Sequence, residues 1–123
     1  MARYYVLPRG PSVCLRLARV RDLAGIEDLF MRQGLFPSQI ELARLVRSDP
    51  RKQVVITAVA LVDSTERILG VGAIQVDALE VHGGTDPEPS RLLVDDELTD
   101  GLEELLRNAL TARARTLARA RAA

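Results

Sequence analysis

Two neighbouring apolar segments constrain the fold of this chain more than any other feature. Residues 53–62 read QVVITAVALV and residues 68–76 read ILGVGAIQV, with no charged side chain in either. Segments of this length, rich in β-branched residues, are typical of strands covered on both faces. The polar residues 63–67 between them predict a turn, so we expect a hairpin near the centre of a sheet. Gly70 and Gly72 share one face of its second strand and leave room there for a helix, a backbone or a ligand, of which we expect a helix.

The segments before this hairpin predict a strand followed by two helices. Residues 13–17 alternate between apolar and other side chains, which predicts a half-buried strand. Asp22 is a suitable cap for a helix that follows at once and ends at Gly34. Residues 38–41 (SQIE) form a capping box that starts a second helix. Residues 1–12 hold two prolines and a glycine and are expected to form an irregular lead-in.

The segments after the hairpin predict a short strand and a last helix. Residues 91–94 (RLLV) form the strand, and the helix begins at about Thr99. Its apolar stripe weakens beyond residue 111, so we expect its tip to fray or to pack on another molecule. The order β-α-α-β-β-β-α is an α/β (α+β) layer structure with a mostly antiparallel central sheet. Residues 13–123 are expected to form a single domain, because 123 residues fit one domain and not two.

Cysteine content and hydropathy indicate the compartment. The single cysteine, Cys14, cannot form a disulfide within the chain, so a reducing cytoplasm is the default. No apolar stretch approaches the roughly 20 residues of a membrane span. The first residues lack the apolar core of a signal peptide. We therefore expect a cytoplasmic protein without membrane contact.

The formal net charge is zero, but charge is segregated along the chain. Residues 1–60 carry ten basic and five acidic side chains, residues 61–106 two basic and twelve acidic, and residues 107–123 five arginines and no acid. The acidic middle segment repels phosphates over its local surface. The arginines of the last segment share no helix face and have no aromatic residues among them. Nucleic-acid binding is therefore not expected.

Three short motifs occur in a defined order. Residues 15–23 read LRLARVRDL, residues 68–72 read ILGVG, and residues 92–97 read LLVDDE. In this order they resemble the first strand and helix start, the third strand, and the fourth strand with its acyl-CoA loop in GNAT-family N-acetyltransferases. Residues 42–45 and 49–50 are further similar to GNAT domains attached to acyl-CoA-synthetase-like protein acyltransferases.

This resemblance implies transfer of an acetyl or acyl group from acyl-CoA to an amine. In that fold the fourth strand offers backbone groups to the pantetheine arm, which Leu93 and Val94 would line. Amides at the following helix N-terminus bind the CoA pyrophosphate, so Gly101 and Leu102 would approach the phosphates. Glu80 would be the catalytic base. Acetyl-CoA is the cosubstrate that the resemblance implies.

The acyl-CoA loop departs from the family pattern Arg/Gln-x-x-Gly-x-Gly/Ala. Aligned on Gly101, Leu98 stands where arginine or glutamine is expected, and Glu103 stands at the second small position. Further acids crowd the same turn: Asp95, Asp96, Glu97, Asp100 and Glu104. Carboxylates there stabilise the empty helix by about 0.3–1 kcal/mol each, and they repel a diphosphate. The alternative function is a degenerate, non-catalytic GNAT-like module that acts in dimerisation or protein interaction.

The resemblance covers only the first part of the family's fold. The strand and helix that close the CoA cleft have no counterpart, and neither does the tyrosine that commonly protonates the thiolate, so we expect a C-terminally truncated version. Its last strand would be an open edge, which is a pairing liability. We expect a second copy of the chain, or another partner protein, to cover that edge.

Few other residues suggest chemistry. His82 is the only histidine and is expected to be a solvated loop residue. Cys14 has no signalled base nearby and is expected to be a packed thiol. One histidine and one cysteine do not make a zinc site, so no metal is expected.

Overall fold

The computed structural model describes residues 2–76, 88–97 and 99–122. In these ranges five strands form one antiparallel sheet in sequence order: β1 (Ala2–Val6), β2 (Ser12–Leu17), β3 (Gln53–Val62), β4 (Thr65–Gln75) and β5 (Arg91–Val94). The helices are α1 (Leu23–Arg32), preceded by a 3-10 turn over Val20–Asp22, then α2 (Gln39–Arg47) and α3 (Leu102–Ala122). This arrangement confirms the α+β architecture with an antiparallel sheet.

β1 corrects the expectation of an irregular lead-in over residues 1–12. The strand pairs antiparallel with β2, so that Tyr4 lies opposite Cys14. Tyr5 packs against the core, and Leu7 is buried. The aromatic and β-branched side chains of this segment favour a strand. The prolines and glycine that suggested irregularity lie in the turn that follows β1.

β3 and β4 form the predicted central hairpin, with a tighter turn than expected. Asp63 and Ser64 have φ values of 52° and 65°, and Thr65 already pairs with Val62. Two residues at positive φ suit the right-handed twist of a two-residue hairpin. The register shifts once, beside Leu69, which places a bulge in β4.

Helices cover both faces of the sheet and produce two clusters of buried residues. α3 lies on one face, where a Cβ at Gly70 would come 2.8 Å from Leu106 Cδ1 and a Cβ at Gly72 would come 2.6 Å from Leu110 Cδ1. The two glycines therefore make room for a helix, as predicted. α1 and α2 lie on the other face, with Phe30 and its neighbours packed on β3 and β4.

The buried face of α3 runs further than the sequence suggested. Ala114 is fully buried, and Leu117 packs against the sheet. Alanine adds little to an apolar pattern in a sequence, because its side chain is small. It nevertheless allows the helix to pack closely on the sheet, so α3 stays in contact with the sheet beyond residue 111. None of the helices in the described ranges is both long and apolar enough to span a bilayer.

Candidate functional site

β5 positions the two residues expected to line a pantetheine arm. It pairs with β4, so that Leu93 lies opposite Val71 and Val94 lies opposite Gly70. Leu93 packs towards α1 and α2, whereas Val94 packs towards α3. Within the described residues no strand pairs with the other edge of β5. β5 is therefore the last strand of the sheet in the described part of the chain, and its four residues are half-buried.

The loop between β5 and α3 is held by hydrogen bonds within the loop and by one hydrogen bond to β4. The Asp95 N–H donates to the Leu69 carbonyl at 2.8 Å, the Thr99 hydroxyl donates to the Asp95 carbonyl, and the Leu102 N–H donates to the Thr99 carbonyl at 2.9 Å. Gly101 has a φ of 85°, a left-handed conformation that favours glycine. Leu102 is fully buried. Neither its side chain nor its amide is free to meet a phosphate.

Asp95 is part of a buried ion-pair network that links the loop to α1. Its carboxylate accepts from Arg32 Nη1 at 2.5 Å and from the Glu97 N–H at 3.0 Å, and Arg67 Nη2 lies 3.8 Å away. Arg32 also donates to the Ile68 carbonyl at 2.7 Å. From the sequence, Asp95 is expected to be one of the acids that crowd the turn. That expectation is wrong, because this carboxylate faces inward and is paired with Arg32.

The remaining acids of this region are exposed, namely Asp96, Glu97, Asp100, Glu103 and Glu104. Arg107 is the nearest arginine on α3, and it already pairs with Glu88 and, at 3.6 Å, with Glu103. A CoA pyrophosphate needs free amides and uncompensated cations. The Leu102 amide is engaged and the carboxylates around it are exposed, so the electrostatics of this turn oppose the phosphates of acyl-CoA. Leu98 lies outside the described residues.

The other residues singled out from the sequence do not join a site in the described ranges. Glu80 and His82 lie outside those ranges. Cys14 is half-buried on β2, between Tyr4 of β1 and Val59 of β3. No group of three or more potential metal ligands occurs within the described residues.

Asp22 has a structural role that the sequence analysis assigned incorrectly. As the residue before α1 it makes no side-chain capping bond to that helix. Its two carboxylate oxygens instead accept from Arg16 at 2.7 and 2.9 Å, and one also accepts from the Arg19 N–H at 2.8 Å. The hydrogen bond to Asp22 raises the pKa of the buried Arg16 guanidinium. This pair joins β2 to the turn that starts α1.

Comparison with known proteins gives the fold. The crystal structure of the GNAT domain of a PAT protein from S. lividans superposes with a TM-score of 0.69 at 15% sequence identity. The match covers 95% of this chain and 73% of that chain. This chain has a GNAT fold. No protein-family model matches the sequence, and no curated protein matches it.

The β5–α3 region can be placed in the order of elements of the GNAT fold. β5 and the start of α3 are the fourth strand and third helix expected from the resemblance. Gly101, just before α3, has a positive φ, and the exposed side chains around it carry negative charge.

Proposed function

We propose that this chain is a GNAT-fold interaction module that does not retain acyl-CoA by itself. The single observation that carries the proposal is the set of exposed carboxylates around the start of α3. A pair of unit charges about 7 Å apart repels by about 0.6 kcal/mol in water and about 2.4 kcal/mol at an effective dielectric constant of 20. Several carboxylates facing a doubly anionic diphosphate therefore oppose binding by several kcal/mol. One hydrogen bond to a charged group, worth about 1.5–3 kcal/mol, does not offset that repulsion.

The binding partner we propose is a second copy of this chain, paired through the open edge of β5. Backbone pairing at an exposed edge is a common route to association. An antiparallel β5–β5 pair across a two-fold axis would bring Asp96, two residues beyond the end of one strand, towards the start of the other, where Arg91 already pairs with Glu41 of its own copy. Each copy would contribute one acid and one base, so the same approach would occur twice, which is the self-complementarity that a two-fold dimer requires.

Calorimetric titration tests the first part of the proposal. We expect no heat of binding with acetyl-CoA or free CoA at about 1 mM. That result would exclude a binding free energy more favourable than about −4 kcal/mol. Low-micromolar affinity for acetyl-CoA would refute the proposal. Nucleotide binding without the pantetheine arm, tested with ADP, serves as the matched control for adventitious phosphate binding.

Sedimentation tests the second part. We expect a dimer in the native protein and a shift towards monomer in Asp96→Arg, because the change sets arginine against Arg91 of the other copy. Glu104→Arg makes the same charge change on α3, away from the β5 edge, and should leave the dimer intact. A native protein that remains monomeric at high concentration would refute the homodimer.

A second candidate function is acyl transfer in which a partner subunit completes the cofactor site. The left-handed Gly101 and the position of β5 directly before α3 favour it. In that candidate Leu93 and Val94 lie beside the pantetheine arm, and Glu80 takes a proton from the acceptor amine. Acetyl-CoA affinity that is absent from the purified chain and restored by Leu98→Arg with Glu103→Gly would favour this candidate.

A further inference from the structure

A cavity of about 350 Å³ lies on the α3 side of the sheet, between the first two strands and the second half of α3. Its walls are largely apolar, with Leu15 from β2, Ala109 and Ala112 from α3, and the ring of Tyr5 from β1. The alanines explain the cavity, because they are too short to fill the space between helix and sheet. Its volume falls at the lower end of the range for sites that bind small ligands.

Arg113 gives this cavity an unusual charge. Its side chain lines the cavity and also borders a second one, of about 160 Å³, near α2. The Nε atom of Arg113 is buried and has no hydrogen-bond partner among the described residues. An unsatisfied buried donor costs about 1–3 kcal/mol, and more when it is charged. A guanidinium is retained in such a place more readily when a ligand supplies the acceptor.

A second arginine adds to the positive charge. Arg3 lines the same cavity from β1 and is itself exposed. Neither Asp nor Glu occurs among the residues that line the two cavities. The hydroxyl of Thr116, at the rim, already donates to the Ala112 carbonyl at 3.0 Å. The side-chain donors among the residues that line the larger cavity, besides this hydroxyl, are those of the two arginines and the hydroxyl of Tyr5.

We infer that this cavity binds a small organic anion, a carboxylate carried on a compact apolar body. The planar guanidinium of Arg113 matches a carboxylate through two parallel N–H donors. The apolar body would lie between Leu15 and Ala109. This site lies away from the β5 edge and the acidic loop, so it does not depend on the proposed function.

Amide chemical-shift titration of the full chain tests the inference. Sodium octanoate is the probe, 1-octanol is the neutral control, and inorganic phosphate is the control for an anion without an apolar body. We expect octanoate to shift amides of residues 2–5 and 109–116 with a dissociation constant of about 1 mM or tighter. Octanol and phosphate should each bind at least about tenfold more weakly at these residues. No shifts with octanoate up to about 10 mM, or equal binding of octanol, would overturn the inference. Phosphate binding tighter than octanoate would overturn it as well.

Two variants locate the charge that matters. Arg113→Met should weaken octanoate binding by about tenfold or more, since it removes the two parallel donors. Arg119→Met, on the exposed side of the same helix, should change it by less than about twofold. Arg3 is exposed, so Arg3→Met should leave the fold intact. It should weaken octanoate binding by about threefold, and this variant tests the site if Arg113→Met fails to fold. Unchanged affinity in both Arg3→Met and Arg113→Met would refute the site.

Discussion

Replacing Asp95 by asparagine should destabilise the protein, although the residue belongs to a strongly acidic segment. Breaking a buried ion pair costs about 3–5 kcal/mol, because one charge is left without its partner. Here the Arg32 side chain keeps 19% exposure, a hydrogen bond to the Ile68 carbonyl and an ion pair with Asp28 at 3.2 Å. Asparagine can still accept from the Glu97 N–H. We therefore expect a smaller loss of about 2–3 kcal/mol in the free energy of unfolding.

Urea denaturation measures this loss, and Asp96→Asn is the matched control. With a denaturant slope of about 2 kcal/mol/M, Asp95→Asn should lower the unfolding midpoint by about 1–1.5 M. Asp96 is exposed and has no such network, so its asparagine variant should stay within about 0.5 kcal/mol of the native protein. If repulsion among the acids dominated instead, both variants would be stabilised. Equal midpoints for the two variants would refute the reasoning.

Three further perturbations follow from the same contacts. Asp22→Asn leaves the Arg16 guanidinium buried without its carboxylate, so unfolding by urea should show a loss of about 3 kcal/mol, and a loss below about 1 kcal/mol would contradict the buried pair. Gly72→Ala places a Cβ 2.6 Å from Leu110 Cδ1; overpacking should cost about 1–3 kcal/mol in thermal or urea unfolding, and a variant as stable as the native protein would disprove the close approach. The Arg51 main-chain N–H donates to the Asp49 carboxylate and lowers the pKa of that carboxyl below its usual value of 3.8. The contribution of Asp49 to stability is therefore present above pH 3.8 and is lost as the pH falls through the lowered pKa of the folded state. Asp49→Asn should therefore lose less thermal stability than the native protein on acidification from about pH 5 to pH 2, and parallel curves would argue against this contribution.

The fold was largely predictable because its determinants are local. The bounds of β3 and β5 agree with the predicted segments, and Ser38 Oγ accepts from the Glu41 N–H at 3.1 Å, as the capping box predicts. The spacing of Gly70 and Gly72 indicated a close helix because glycines two apart must share a strand face. Each of these signals lies within about ten residues of the chain.

The contacts that decide the chemistry of the candidate site were not predictable in this way. Asp95 meets Arg32 across 63 positions of sequence, and no local pattern distinguishes it from its exposed neighbour Asp96. Asp22 has the sequence context of a helix cap, yet the arginine six positions earlier competes for its carboxylate. A short polar residue has several local uses, and tertiary packing selects among them.

Buried and exposed carboxylates have different roles in this GNAT-fold protein: the buried one stabilises the fold, and the exposed ones set the surface charge. Asp95 is buried and paired with Arg32, so it stabilises the loop against α1. Asp96 and Glu103 are exposed and contribute little to that shape, yet they control the potential that an incoming anion meets. Charge reversal at these exposed positions should therefore change ligand preference without changing the fold. On the proposed function, the charges that oppose acyl-CoA binding cost the GNAT fold almost no stability, because the turn is held by Asp95 and by its backbone hydrogen bonds.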